Sequence, residues 1–307
     1  MLIKNFLFHR VSEEIDKLWP PMRPVLFEKI IRTLQQNHTI ICLEELLSNT
    51  PDSRSSKTFA TVLFDDGYKD NIEYAAPVLK KYNCPASFYV VTDCIDKNIP
   101  TWTYLVDHAL QKTTIPELSL SFSYTPPGLK LILLPPDKLS NPLVEKVKPW
   151  MKGLSNKRRR EVLQSILDQC KDVKAPENKM MNWNDIRELK QHGFHIGSHS
   201  HTHPMLGALE DESEINDELV ISSGRILKET GAPPRTLSYP IGSFDDRVIK
   251  LAQKNGYKWG LAVEQRFYLP HKDTLFTIPR VELYQEPWWR VNMRMSGMYS
   301  RLKHIWH

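Results

Sequence analysis

The sequence predicts an α/β protein built on a largely parallel sheet or barrel, and three observations carry that prediction. Strand-like apolar runs alternate with helix-like stretches along most of the chain, the order that results when crossover helices join parallel strands. Two of those runs end in residues able to ligate a metal, Asp65-Asp66 and His199 with His203, at the strand end where such folds place their chemistry. A chain of 307 residues, 41% of them hydrophobic, can bury one full core, so a single domain over 1–307 is expected.

In chain order, a first apolar run at 2–8 is closed by His9, and a helix-periodic stretch follows at 24–37. The run at 58–64 ends at Asp65-Asp66-Gly67, with a helix-like stretch at 70–82 and a further strand at 86–92. After a long interruption, a helix at 183–192 leads into the strand at 194–198. Helices at 211–229 and 244–255 then alternate with strands at 235–239, 258–263 and 275–283. The interruption, 95–178, contains Pro126-Pro127, Pro135-Pro136, Pro142 and Pro149 and is far too long for a plain loop. It is expected to be an insertion over the barrel mouth with its own helices at about 102–112 and 155–171. It carries 13 Lys and Arg against nine Asp and Glu, so +4 of the formal net +5 resides there.

Charged residues at 25% and a mean hydropathy of −0.42 are those of an ordinary soluble protein, and no apolar run approaches the roughly 20 residues needed to span a bilayer. Met1–Lys4 passes straight into the first strand with no room for a cleavable leader, so a cytoplasmic location is expected. Cys42, Cys84, Cys94 and Cys170 form no C-x-x-C pair, which speaks against a zinc knuckle or a disulfide framework. Cys42 and Cys84 lie beside apolar residues and are expected to pack as small hydrophobes.

The chemistry rests on two short stretches. His199 and His203 are four apart, which on one turn of helix puts both imidazoles on one face while His201 points elsewhere. Two histidines leave a catalytic site one ligand short, and the usual third is another histidine or a carboxylate. Asp65 and Asp66 follow a strand, where neighbours point opposite ways, so one can reach a metal and the other the attacking water. Alone, an Asp-Asp-Gly is most often a turn and an H-x-x-x-H most often structural; both together, each after a strand, point to a metal site.

Leu63–Gly67 resembles the first signature of the polysaccharide deacetylases, carbohydrate esterase family four, with the NodB-homology fold. Met181–Leu189 leading into Gly193–Pro204 resembles its second signature, and Leu237–Gly242 its third. The resemblance implies a distorted (β/α) barrel of NodB-homology type with a helical insertion. It also implies removal of an N-acetyl, less often an O-acetyl, group from a sugar of a polysaccharide or its biosynthetic precursor. Carried over residue by residue, Asp66, His199 and His203 would hold a divalent metal, zinc first, with cobalt, nickel or iron as alternatives. Asp65 would be the general base, and the oxyanion would be met in the Tyr239-Pro240-Ile241 turn by the Ile241 amide, since Pro240 has none.

Two departures stand out. Many members place an Arg where this chain has Ser238, and many end in a Leu-x-His whose imidazole protonates the leaving amine; here the late segment is Phe276–Leu283. Phe8-His9-Arg10-Val11 resembles the Tyr-His-x-Val opening of a subgroup whose amino-terminal His does the acid's work, so His9 is assigned that role. The other reading of His9 is a strand-end residue bonded to a backbone carbonyl. Arg280 is expected to replace the missing Arg by pairing with Asp65.

The expected partner is an N-acetylated sugar or glycan, with Trp102, Tyr104 and Trp183 either stacking on sugar faces or packing in the core. Lys157–Arg160 is either a solvated helix start or a patch meeting phosphate or carboxylate on the glycan carrier. Pro287–His307, rich in Trp, Met and Arg without an acid, either packs on the barrel or makes peripheral contact with an anionic membrane. No nucleic-acid motif is present, and the positive charge is mild. The alternative function is a non-catalytic glycan-binding protein on a degenerate scaffold, against which the joint presence of Asp65, Asp66, His199 and His203 speaks.

Overall fold

The computed structural model describes residues 2–49, 58–137 and 140–298. Its first elements are β1 (Leu2–Phe8), α1 (Pro24–Asn37), β2 (Thr39–Ile40), α2 (Leu43–Ser48) and β3 (Thr58–Phe64). Strands β1 and β3 pair in parallel from Leu2 opposite Thr58 to Phe8 opposite Phe64, so they end level with one another. His9 and Asp65 therefore emerge side by side, and the Asp65 amide donates to the Phe8 carbonyl at 3.1 Å. Val62, Leu63 and Phe64 are all buried, as expected of a parallel strand covered on both faces.

Beyond β3 come α3 (Ala76–Lys81), β4 (Ser87–Val90), α4 (Thr92–Lys97) and α5 (Trp102–Lys112), then the antiparallel pair β5 (Glu117–Ser119) and β6 (Leu131–Leu133). They are followed by α6 (Pro142–Lys152), α7 (Asn156–Gln169), α8 (Trp183–Gln191), β7 (His195–Ser198), α9 (Glu212–Thr230) and β8 (Thr236–Ser238). The chain continues through α10 (Asp246–Lys254), β9 (Trp259–Leu261), β10 (Val281–Glu282) and α11 (Trp288–Ser296). The main sheet runs β10-β1-β3-β4-β7-β8-β9, all parallel, with β2 beside the start of β3. Ile278 bridges to Leu261, its amide donating to Gly260 at 2.9 Å, so the segment entering β10 closes the curl toward β9. The result is a distorted (β/α) barrel with helices outside.

On the outer face, Phe64 stacks between Phe8 and Phe88 with ring centroids 5.4 and 4.8 Å away. Helix α1 covers that stack with Phe27, Ile30, Ile31 and Leu34, a spacing that makes one apolar stripe. Leu63, Tyr89 and Leu261 alternate to the other face and pack with Ile3, Trp259 and Ile278, while Leu43 and Leu46 of α2 belong to the same cluster. Gly197 of β7 is required there, because a side chain would run into the Tyr89 ring.

Several elements differ from expectation. The stretch at 70–82 is not one helix: a π-helical turn over Asn71–Ala75 precedes α3, next to Pro77. Only Val281–Glu282 of the 275–283 run pairs as a regular strand. Helix α6 was hidden by its prolines: Pro142 occupies the first turn, where no amide donor is needed, and Pro149 sits with Glu145 on the exposed face, where a freed carbonyl meets water. Between α4 and α8, Val106, Leu110, Leu118, Ile132, Val147, Val162 and Ile166 form a hydrophobic cluster of their own. Helix α11 buries Val291, Arg294 and Met295, and Lys29 lies 4.1 Å over the Trp288 ring; the last part of the proposed membrane-contacting segment, 299–307, lies outside the described residues. Among the described residues no helix is long and apolar enough to cross a membrane. The four cysteines are unbridged, but Cys42 is not simply apolar: its thiol donates to Glu44 at 3.2 Å.

Candidate metal centre

The carboxylate pair leaves β3 through a turn. Asp65 continues the strand's hydrogen bonding, whereas Asp66 adopts φ 74° and Gly67 φ 88°. The divergence of the two side chains is thus made by a left-handed residue rather than by strand alternation. The histidines are also not on a helix, which corrects the one-turn reading. Past Ser198 the chain forms a loop in which Ser200 (φ 64°) and His203 (φ 59°) are left-handed, and the His203 amide donates to the Ser200 hydroxyl at 3.1 Å. Glu218 of α9 pins the loop by accepting from the His201 and Thr202 amides at 2.8 and 2.7 Å. Left-handed non-glycine residues cost on the order of 1–3 kcal/mol each, and Asp66, Ser200, His203 and Ile241 concentrate that cost around one cleft.

Asp66, His199 and His203 are all buried, with their ligand-type atoms within 4.8 Å of one another. Asp66 Oδ1 lies 3.3 Å from His199 Nε2 and 3.4 Å from His203 Nε2 yet has no hydrogen-bond partner. A buried, unpaired carboxylate oxygen facing two imidazole nitrogens is costly unless a cation sits among them, and two nitrogens with one oxygen suit a divalent first-row metal. His199 Nδ1 donates to the Ser238 carbonyl at 2.8 Å, which turns the Nε2 lone pair toward Asp66. Burial works against the Asp66 carboxylate, but His199 and His203 hold it well below the usual range, and burial lowers His203. A second grouping, Cys42, Glu44 and His195, lies near the strand starts. Glu44 is already saturated there by Tyr89 (2.8 Å), Thr236 (2.9 Å), Ser87 (2.6 Å) and Cys42, and burial pushes the Cys42 thiol up to about 12, so it stays a donor.

Asp65 lies farther from the same imidazole nitrogen of His199, its Oδ2 3.9 Å from Nε2. Arg280 Nη1 donates to its Oδ1 at 2.9 Å and the Ser238 hydroxyl to its Oδ2 at 3.0 Å, while Arg280 Nε is spent on the Ala262 carbonyl at 3.1 Å. Burial would raise the Asp65 carboxyl; Arg280 and His199 outweigh it and keep the group below its ordinary value. The guanidinium thus arrives from the segment entering β10, and Ser238 contributes a smaller donor where an arginine was missing.

Beside Asp65, at the end of β1, His9 Nδ1 lies 3.3 Å from Glu282 Oε1 and the imidazole packs edge-on against Trp19. The ring partners a carboxylate rather than a backbone carbonyl. Glu282, which also accepts from the Tyr284 hydroxyl, was not singled out from the sequence; its signal is the Arg280-Val281-Glu282 alternation, which puts both charges on one side of a strand. His9, Asp65, Asp66, His199, His203 and Ile241 line one cleft of about 220 Å³. Tyr239 does not join them: its ring is buried against Phe244 and its hydroxyl donates to the Phe276 carbonyl at 2.9 Å. Pro240 is buried too, and His201 turns away to Thr92 at 2.8 Å.

Comparison with known proteins agrees with this architecture. Residues 52–132 and 153–260 match the sequence profile of the family described as polysaccharide deacetylase. YxkH of Bacillus subtilis (strain 168), which bears a polysaccharide deacetylase name, is 22% identical over 263 residues, covering 84% of this chain and 63% of the relative. The deacetylase PplD of Streptococcus pyogenes, solved with acetate, superposes with a TM-score of 0.61 at 15% identity, covering 98% of this chain and 97% of that one. A de-N-acetylase from Aggregatibacter actinomycetemcomitans gives 0.61 at 16% identity, covering 96% and 100%. IcaB of Ammonifex degensii gives 0.61 at 14% identity, covering 96% and 97%. These likenesses confirm the fold, a NodB-type distorted barrel, and the profile match over more than half its length shows that the chain belongs to the polysaccharide deacetylase family.

Proposed function

We propose that this chain is a metal-dependent carbohydrate N-deacetylase that hydrolyses the acetamide of an amino sugar in a polysaccharide or its precursor. The observation that carries the reading is the orphaned, buried Asp66 Oδ1 between two imidazole nitrogens, one residue from a carboxylate clamped by a fully buried arginine. Asp66, His199 and His203 would hold the metal, zinc first. Bound there, a divalent cation supplies a Lewis acid for the acetamide carbonyl and, in zinc sites, lowers the pKa of water to about 7.

The remaining steps belong to the chain's own side chains. Asp65, kept ionised by Arg280 and oriented by Ser238, takes the proton of the attacking water. The Ile241 amide, in a left-handed turn at the cleft wall, is the backbone donor for the oxyanion. His9, oriented by Glu282, gives a proton to the departing amine, without which an amide does not cleave.

The test is acetate release from N-acetylated oligosaccharides by metal-loaded protein. The reading requires release that chelation abolishes and that is lost in Asp65→Asn and His199→Ala; an unaffected rate in either variant overturns the assigned roles.

A further inference from the structure

Two lysines enter the cleft from helix α6, an element the family signatures do not describe. Lys148 and Lys152, four residues apart on α6, line the cleft with His9, Asp66 and His203. The adjoining face of α6 is fixed by buried Val144, Val147 and Met151, so packing holds the helix with these lysines at the cleft. Like charges at this spacing destabilise a helix, and both lie near a site already read as cationic. Lys148 is offset by an ion pair with Asp107.

Lys152 has no such close pair, only the more distant carboxylates of Glu282 and Asp107. Apart from Asp66, which with the histidine pair is assigned to the metal, every other charged group lining the cleft is committed: Asp65 to Arg280, Glu282 to His9 and Tyr284, Lys148 to Asp107. Lys152 is half-buried and forms no ion pair within 4.0 Å among the described residues. Burial and Lys148 press its ammonium toward the neutral form and outweigh the more distant Glu282 and Asp107 carboxylates, a balance that a bound anion would tip back.

Resting on the deacetylase reading, we propose that Lys152 is a specificity residue forming an anion subsite, and that the substrate is an acetamido sugar bearing a phosphoryl group beside the reacting acetamide. A lysine ammonium is a compact point charge suited to phosphate oxygens, and it lacks the planar fork with which arginine reads a carboxylate.

The experiment measures calorimetric binding of N-acetylglucosamine, N-acetylglucosamine 1-phosphate, its methyl phosphodiester and N-acetylglucosaminyl-glucuronate to the full chain and to Lys152→Gln and Lys152→Arg. Both phosphorylated probes are expected to bind about tenfold to a hundredfold tighter than the neutral sugar, with that advantage lost in Lys152→Gln and largely restored in Lys152→Arg. A preference for the monoester points to a precursor and for the diester to a polymer. Equal binding of the neutral and phosphorylated sugars, a phosphate advantage that survives Lys152→Gln, or a uronate bound as tightly as the phosphates overturns the proposal. Acetate release is followed in parallel: binding as expected without turnover on any probe counts against the deacetylase reading alone, and turnover indifferent to phosphate and to Lys152→Gln, seen as an unchanged KM, counts against the subsite alone.

Discussion

Replacing Arg280 by Met should expose how much of the site's architecture rests on one buried charge pair. Arg280 is 0% exposed and Asp65 2%, with Nη1 2.9 Å from Oδ1, so neither charge is hydrated. Unit charges about 4 Å apart at an effective dielectric of ~20 attract by about 4 kcal/mol. The Nε bond to the Ala262 carbonyl adds about 1 kcal/mol, and Met fills the volume without replacing either. After relaxation, a loss of about 3–5 kcal/mol is expected, because the Asp65 carboxylate is left buried with the Ser238 hydroxyl and the more distant His199 as its remaining partners. The assay is denaturant unfolding of metal-free protein for Arg280→Met, Asp65→Asn and the double variant. The double variant should recover most of the loss, since a carboxamide needs no counter-charge. If the two single effects simply add, or Arg280→Met costs less than about 1 kcal/mol, the buried-pair argument is wrong.

Other outcomes follow from the same geometry. His9→Gln should lower kcat by about 10²–10⁴-fold if the imidazole is the acid, and Glu282→Gln, which frees the imidazole from its partner, should lower kcat by a smaller factor; a full-rate His9→Gln would return His9 to a structural role. For Glu44, burial opposes ionisation, but His195, Ser87 and Tyr89 together hold its carboxyl below the usual 4.5. On acidification the unfolded chain therefore takes up the proton first, so the stability Glu44 gives is complete above about pH 4.5 and is lost as pH falls through its folded value. Unfolding free energies across that window should fall less steeply for Glu44→Gln than for the parent, and superimposable slopes would contradict the account. Gly260→Ala places a methyl against the Tyr239 hydroxyl and 2.7 Å from the Phe276 carbonyl, so it should destabilise by about 1–3 kcal/mol in a thermal melt, and a neutral effect would mean the β9 backbone yields easily.

What could be read from the sequence was local. The residues of β1, α1 and β3 coincide with the apolar runs and helical spacing that mark them, because each is decided by its own residues packing against a continuous core. The ligand-type residues were visible for a similar reason, since Asp65-Asp66-Gly67 and His199–His203 each follow a strand directly. How they converge was not visible: the histidine loop depends on left-handed Ser200 and His203 and on Glu218, which comes from another helix. Asp65 and Arg280 are 215 residues apart, and only the parallel register of β3, β1 and β10 brings them together. Helix α6 was concealed by prolines that its first turn and solvent face tolerate, and with it went the two lysines in the cleft. Tyr239 matched a signature but serves the core, where its hydroxyl satisfies a carbonyl.

The most direct measurement is titration of metal-stripped protein with zinc, read by calorimetry and elemental analysis, beside Asp66→Asn and His203→Ala. One ion per chain is expected in the parent, with the tight site abolished in both variants while their unfolding midpoints stay cooperative. A parent that takes up no stoichiometric zinc, cobalt, nickel or iron, or variants that bind it as tightly as the parent, would contradict the metal centre on which the deacetylase reading stands.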